Sequence, residues 1–271
     1  MSNLLVRALT GMIFVGVILG SIFWHPTAAS IVLSLFMLLG IVEFYKLFDK
    51  HPKIELSLTS GLLTSIAILS VFAAGIYGII PKASTGVFIL PIIFLAILTE
   101  LWRKKEYPIE NMAISLLGFI YVLMPFLLLI NTSFADKGSF PIIAGMFILI
   151  WSNDTFAYLT GRMIGKTKLI ERISPNKTWE GSVGGVLMTI AAGSVIGYFT
   201  GNYLYWTVAA AIIATTASVG DLLQSLMKRS LKIKDSGTIL PGHGGILDRF
   251  DAMLFTVPFF LMWNFVYLIL F

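Results

Sequence analysis

Nine apolar runs, each near the length of a bilayer-crossing helix, fill most of this 271-residue chain. They lie at about 8–24, 27–48, 57–78, 84–102, 110–131, 139–160, 181–200, 203–228 and 248–271. A helix crossing the hydrocarbon core needs ~20 mostly apolar residues, so nine of them use ~180 and leave ~90 for loops and ends. No connection is then long enough for a globular domain of about 50 residues or more. The fold class that follows is all-α, a polytopic integral membrane bundle of about nine transmembrane helices. Composition agrees. Only 12% of residues are charged, about half the proportion in soluble domains, which excludes a water-soluble enzyme. The first run is expected to be a span rather than a signal peptide. It exceeds the usual ~7–15-residue apolar core, and further spans follow at once.

Basic residues orient the bundle. With the N-terminus numbered zero, the even connections hold Arg7; Lys46, Lys50 and Lys53; Arg103, Lys104 and Lys105; the 162–177 cluster; and the 228–249 cluster, 17 of the 19 basic residues. The odd connections hold only Lys82 and Lys137. One missed or invented span would scramble this split. The positive-inside rule therefore sets the N-terminus and the even connections in the cytoplasm, and an odd span count puts the C-terminus opposite. Residues 1–135 are read as structural and oligomerisation helices. Residues 136–271 are read as the catalytic region, with two cytoplasmic polar loops at 161–180 and 229–247.

Cysteine is absent and the three histidines (His25, His51, His243) are scattered. Thiolate chemistry and a multi-histidine zinc site are thereby set aside. Carboxylates in or beside apolar helices are costly and need a reason. Asp154 follows an apolar run, Asp221 sits seven residues before Lys228-Arg229, and Asp248 and Asp251 stand three apart on one helical face. Any one of them alone reads better as a charge neutralised by a nearby lysine or arginine, or partly solvated at a helix end. Four in the C-terminal half, flanked by basic loops, favour a hard cation held by oxygen. Magnesium fits such a donor set, since it takes one or two carboxylates and shares phosphate oxygens with a substrate. Lysines and arginines around it act as phosphate clamps. The combination indicates phosphoryl or nucleotidyl transfer.

The last polar loop contains Gly242, Gly244 and Gly245, where backbone amides can approach an anion closely. Asp248 then opens a helix whose N-terminal amides face the same place. Residues 225–251 resemble the signature of the phosphatidate cytidylyltransferase (CDP-diacylglycerol synthase) family. The matching positions are Ser225, Lys228-Arg229, Lys234-Asp235, Pro241, His243-Gly244-Gly245 and Asp248-Arg249 followed by Asp251. A second stretch is similar to the same family: Asp154, Ala157-Tyr158, Gly161, Gly165, and Ile173-Ser174-Pro175-Asn176-Lys177-Thr178-Trp179-Glu180-Gly181. Together they cover most of 150–251. The first ~135 residues match only in hydropathy.

The resemblance implies the reaction CTP + phosphatidate → CDP-diacylglycerol + pyrophosphate, in phospholipid biosynthesis. It implies Mg²⁺, with room for a second cation. The implied setting is the inner (cytoplasmic) membrane with the active site on the cytoplasmic side. The partners are CTP, phosphatidate and the bilayer, in a homodimer without nucleic acid. On this reading Asp221 and Asp248 are the first metal ligands, Asp251 the next, and Asp154 and Glu180 either complete the shell or position a basic residue. Lys228, Arg229, Lys234 and Arg249 hold the triphosphate or the lipid phosphate. Lys177, Ser174 and Thr178 bind a phosphate from the other loop, and Ser225, Gly244 and Gly245 lie against substrate. His243 is either catalytic or a loop-fixing hydrogen-bonding group.

Two other readings stand beside this one. A related transferase would use another lipid phosphate or a polyprenol. An ion-coupled transporter would use Asp154 and Asp221 as intramembrane ion sites, but the charges gather at one face. The string Gly161 to Thr167 imitates a P-loop, yet it has three intervening residues where four are needed and follows a membrane helix rather than a strand. Gly181, Gly184, Gly185, Gly193 and Gly197 in the seventh run are expected to let neighbouring helices approach closely.

Overall fold

The apolar runs form helices in a computed structural model that describes residues 3–49, 51–136, 138, 140–239 and 244–271. Among the described residues there are nine helices in chain order: α1 (Asn3–Trp24), α2 (Pro26–Leu47), α3 (Leu58–Ile76), α4 (Lys82–Arg103), α5 (Pro108–Ala135), α6 (Ile142–Ile164), α7 (Trp179–Thr200), α8 (Tyr203–Ser230) and α9 (Leu247–Leu270). Helices α2 to α9 are each long and apolar enough to cross a membrane, and α1 carries a shorter apolar stretch at Leu9–Trp24. The chain is a multi-pass membrane protein.

Local chemistry sets the helix ends and irregularities. Pro26 occupies the first turn of α2 behind the His25 cap, whose Nδ1 accepts from the Thr27 amide. Proline costs nothing there, because a first-turn amide has no helical partner. Within α5 the turn at Phe119–Leu123 widens to a π-helix just before Pro125. Proline lacks an amide and clashes with the carbonyl four residues earlier, and a wider turn relieves both problems.

The chain divides into two compact units. The first comprises Met1–Ala135 and Asp235–Arg249, the second Asp136–Lys234 and Phe250–Phe271. The segment Asp235–Arg249 packs with the N-terminal helices of the first unit.

In the first unit α2 is central and buries Leu33, Met37, Ile41 and Phe44 against its neighbours. Gly118 of α5 lies against the Phe44 ring, and Gly61 of α3 against Tyr45. In the second unit α7 packs on α6 and α8 through its glycines. Gly181 and Gly185 face Ala157 of α6, Gly184 faces Thr160, and Gly193 and Gly197 face Trp206 and Tyr203 of α8. These five glycines therefore do what their spacing suggests. Helix α9 adds the Tyr205–Asn264 hydrogen bond (3.1 Å) and the Trp263 indole donating to the Tyr205 carbonyl (3.0 Å).

The polar loop 161–180 is more ordered than an all-α reading anticipates. Strands β1 (Lys168–Ile170) and β2 (Ser174–Thr178) form an antiparallel hairpin that pairs Lys168 with Thr178 and Ile170 with Ser174. Glu180 closes its base, accepting from the Lys166 and Thr167 amides at 3.1 Å. The Thr178 hydroxyl caps α7 by accepting from the Gly181 amide (3.2 Å). Such a cap satisfies one orphan amide of the first turn.

Candidate active site

One face of α6 carries Asn153, Asp154, Ala157, Tyr158, Gly161 and Arg162 at helical spacing, and this face lines a cavity of about 420 Å³. The hairpin adds Asn176, Lys177 and Thr178, and α8 adds Ser218 and Asp221. All of these belong to the second unit. The Lys177 ammonium is ion-paired with the Asp221 carboxylate, and both side chains are roughly 70% buried. Ser225, one turn further along α8, donates to Asp221 Oδ1 at 3.3 Å. Asp251 on α9 is half-buried, and its charge is within electrostatic reach of Asp221, Asp154 and Lys228. Three of the four aspartates singled out in the sequence are therefore brought together within one unit.

Oxygen chemistry at this cavity suits magnesium. Asp154 and Asp221 contribute carboxylates. Asn153, only 1% exposed, donates through Nδ2 to Ser218 (3.2 Å) while its Oδ1 has no hydrogen-bond partner among the described residues. A buried carbonyl oxygen without a donor is costly, and a cation or a bound donor would satisfy it. Among the described residues no three acidic or imidazole side chains are grouped so that they could hold a metal ion by themselves. Magnesium does not require such a group, because it retains waters and substrate oxygens.

Other expected site residues are engaged by the protein itself. Glu180 holds the hairpin base and Thr178 caps α7. Ser174 sits in strand pairing with Ile170. Arg229 donates from Nε to the Ile173 carbonyl (3.4 Å) and from Nη1 to the Ile233 carbonyl (3.0 Å), which braces the hairpin turn against the end of α8. Lys228 is half-buried, and Lys234 and Arg249 are exposed. His243 lies outside the described residues.

In the first unit Asp248 stands in the first turn of α9. Its Oδ2 accepts from the Ser236 amide (2.9 Å) and the Gly245 amide (3.0 Å). Gly244 has φ +79°, a left-handed conformation that glycine adopts without strain, and a Cβ there would lie 2.7 Å from Asp248 Oδ2. The Gly245 amide, expected to approach a substrate anion, is thus turned to the chain's own carboxylate.

Sequence reasoning missed Asn153 and Ser218, both of which line the cavity. Arg162, read as an orientation charge, lines the cavity.

A family model for the cytidylyltransferase family matches residues 5–267. The chain belongs to this family. Its relatives include the phosphatidate cytidylyltransferase of Rickettsia prowazekii, 36% identical over 216 residues, which are 75% of this chain and 90% of that protein. The Staphylococcus epidermidis protein of the same name is 32% identical over 232 residues, 84% of this chain and 88% of the relative. The Bacillus subtilis phosphatidate cytidylyltransferase is 37% identical over 159 residues; that match spans 58% of this chain and 59% of the relative's length. The match to the cytidylyltransferase family extends through the N-terminal helices, where hydropathy alone had suggested kinship.

Proposed function

We propose that this chain is a magnesium-dependent phosphatidate cytidylyltransferase, moving CMP from CTP to phosphatidate on the cytoplasmic side of a cell membrane. The observation that carries the reading is the Lys177–Asp221 ion pair in the cavity wall, beside Asp154 and Arg162. The nucleophile is a phosphate oxygen of the lipid, already anionic at neutral pH, so no strong base is required. The barrier is the approach of one anion to another. Lys177 and Arg162 neutralise phosphate charge and hold the reactants in line at the α-phosphorus of CTP.

Asp221 and Asp154, with the Asn153 carbonyl oxygen, would hold the metal, and Asp251 lies within reach of the same carboxylates. Asp248 enters the reading through its motif alone. When bound, magnesium supplies positive charge to the CTP phosphates and the departing pyrophosphate. The distribution of basic residues supports the cytoplasmic side. The homodimer belongs to the same reading through the family resemblance, and light scattering of the detergent-purified protein tests it.

The functional test is pyrophosphate release by purified protein, with several lipid phosphates and several nucleotides offered in parallel, with and without magnesium. Turnover confined to CTP with phosphatidate supports the proposal. No turnover, together with ion-driven uptake in vesicles, would replace it with a transporter.

A further inference from the structure

Glu43 lies on α2, outside both motifs, and is 2% exposed. A buried carboxylate needs donors, since removing its charge from water without compensation is prohibitive. Among the described residues its donors come from one distant segment. Oε2 accepts from the Ile246 amide (2.7 Å), and Oε1 accepts from the Leu247 amide (3.2 Å) and from the Ser236 hydroxyl. The Ile246 and Leu247 amides are among those at the start of α9 for which the helix itself offers no carbonyl. Gly245 lacks a side chain at the point of closest approach, where a Cβ would overlap Glu43 Oε1.

The same few residues also fix Asp248. Ser236 gives its hydroxyl to Glu43 and its amide to Asp248, while the amides of Gly245, Ile246 and Leu247 are divided between the two carboxylates. Two acids from distant parts of the chain, Glu43 and Asp248, thus pin one turn from opposite ends of its amide set.

We infer that Glu43 is a positioning residue. It locks residues 245–247 so that the Asp248 carboxylate is held in one orientation for magnesium. The inference rests on the reading of Asp248 as a magnesium ligand in a cytidylyltransferase. It gives an N-terminal helix a part in catalysis, in a region that sequence reasoning treated as structural.

Glu43→Gln removes the charge and turns an amide donor toward at least one of the three donors. In metal-free protein, hydrogen exchange at Ile246 and Leu247 should rise about tenfold or more, while α6 amides keep wild-type rates. In the activity assay, the magnesium concentration for half-maximal turnover should rise about 10–100-fold, as for loss of an outer-shell partner of a metal ligand. The KM for phosphatidate should stay near wild type. Ser236→Ala, a gentler change, should shift both readouts in the same direction by less, and its effect should be smaller in the Glu43→Gln background than in the wild type.

Unchanged exchange, or faster exchange with a wild-type magnesium requirement, overturns the inference. The second result would make Glu43 a structural clamp only. An active wild type whose magnesium requirement is matched by Glu43→Gln defeats this inference alone. An inactive wild type defeats the cytidylyltransferase reading and takes the inference with it.

Discussion

Lys177 on the hairpin and Asp221 on α8 form an ion pair in the wall of the cavity. The hairpin of loop 161–180 is what presents Lys177 to this carboxylate. A lysine on a mobile loop would be solvated and poorly aimed. Held in β2 next to the Thr178 cap and the Glu180 latch, it meets a carboxylate that Ser225 helps to fix. In the proposed reaction the pair keeps both charges ready, with little reorganisation when phosphates arrive.

Lys177→Ala should lower turnover about 10²–10³-fold, the usual cost of removing one preorganised charge-stabilising donor. Lys177→Arg should recover only part of the loss, because a planar guanidinium does not reproduce a point charge. Pyrophosphate release under saturating CTP measures both. Near-normal turnover of the alanine variant would leave the ion pair a purely structural contact.

Asp248→Asn should abolish turnover in a protein that still folds and inserts. A carboxamide oxygen can keep accepting from the Ser236 and Gly245 amides, so the turn survives, but it lacks the negative charge by which a carboxylate holds magnesium. Gel filtration in detergent reports folding and the activity assay reports the loss. Activity close to wild type would remove Asp248 from the metal shell.

Arg103→Ala should leave turnover nearly unchanged and lower stability. Arg103 is ion-paired with Glu100, which is 8% exposed, and donates from Nη2 to the Glu55 carbonyl (2.5 Å). Its loss leaves a buried carboxylate short of a partner, at a cost of about 1–3 kcal/mol. A lower melting temperature with intact activity is the expected pair of results. A large loss of turnover at a temperature where the variant is folded would extend the site into α4.

Gly181→Ala should destabilise the second unit by about 1–3 kcal/mol, as overpacking of a close contact does. The added Cβ would stand 2.8 Å from the Ala157 carbonyl oxygen and 3.0 Å from both the Gly161 Cα and the Thr178 hydroxyl. Thermal unfolding in detergent measures the shift. An unchanged midpoint would mean that α6 and α7 separate more easily than their packing implies.

Much of this architecture was legible before any coordinates. Each span shows itself through its own residues, because a helix in lipid must be apolar along its length and close its own hydrogen bonds. The π-turn before Pro125 was not legible, since hydropathy does not register how a proline is accommodated. The hairpin was also hidden: residues 166–180 are polar and charged, and its order comes from Glu180 bonding backbone amides thirteen and fourteen residues earlier.

The candidate site divides in the same way. Asp154, Lys177, Asp221 and Asp251 announce themselves as charges near apolar helices, and family motifs name them. Asn153 and Ser218 resemble ordinary helix residues until their neighbours are known. Glu43 is a single acid in an apolar run, whose meaning depends on amides two hundred residues away. Sequence alone determined the spans, the charge bias between the two faces and the motif residues, because these follow from each segment's own contact with lipid or water. Tertiary structure decided which acids face one another, which amides they engage and which residues are committed to the fold, because hydrogen bonds and ion pairs depend on distances that only chain packing sets.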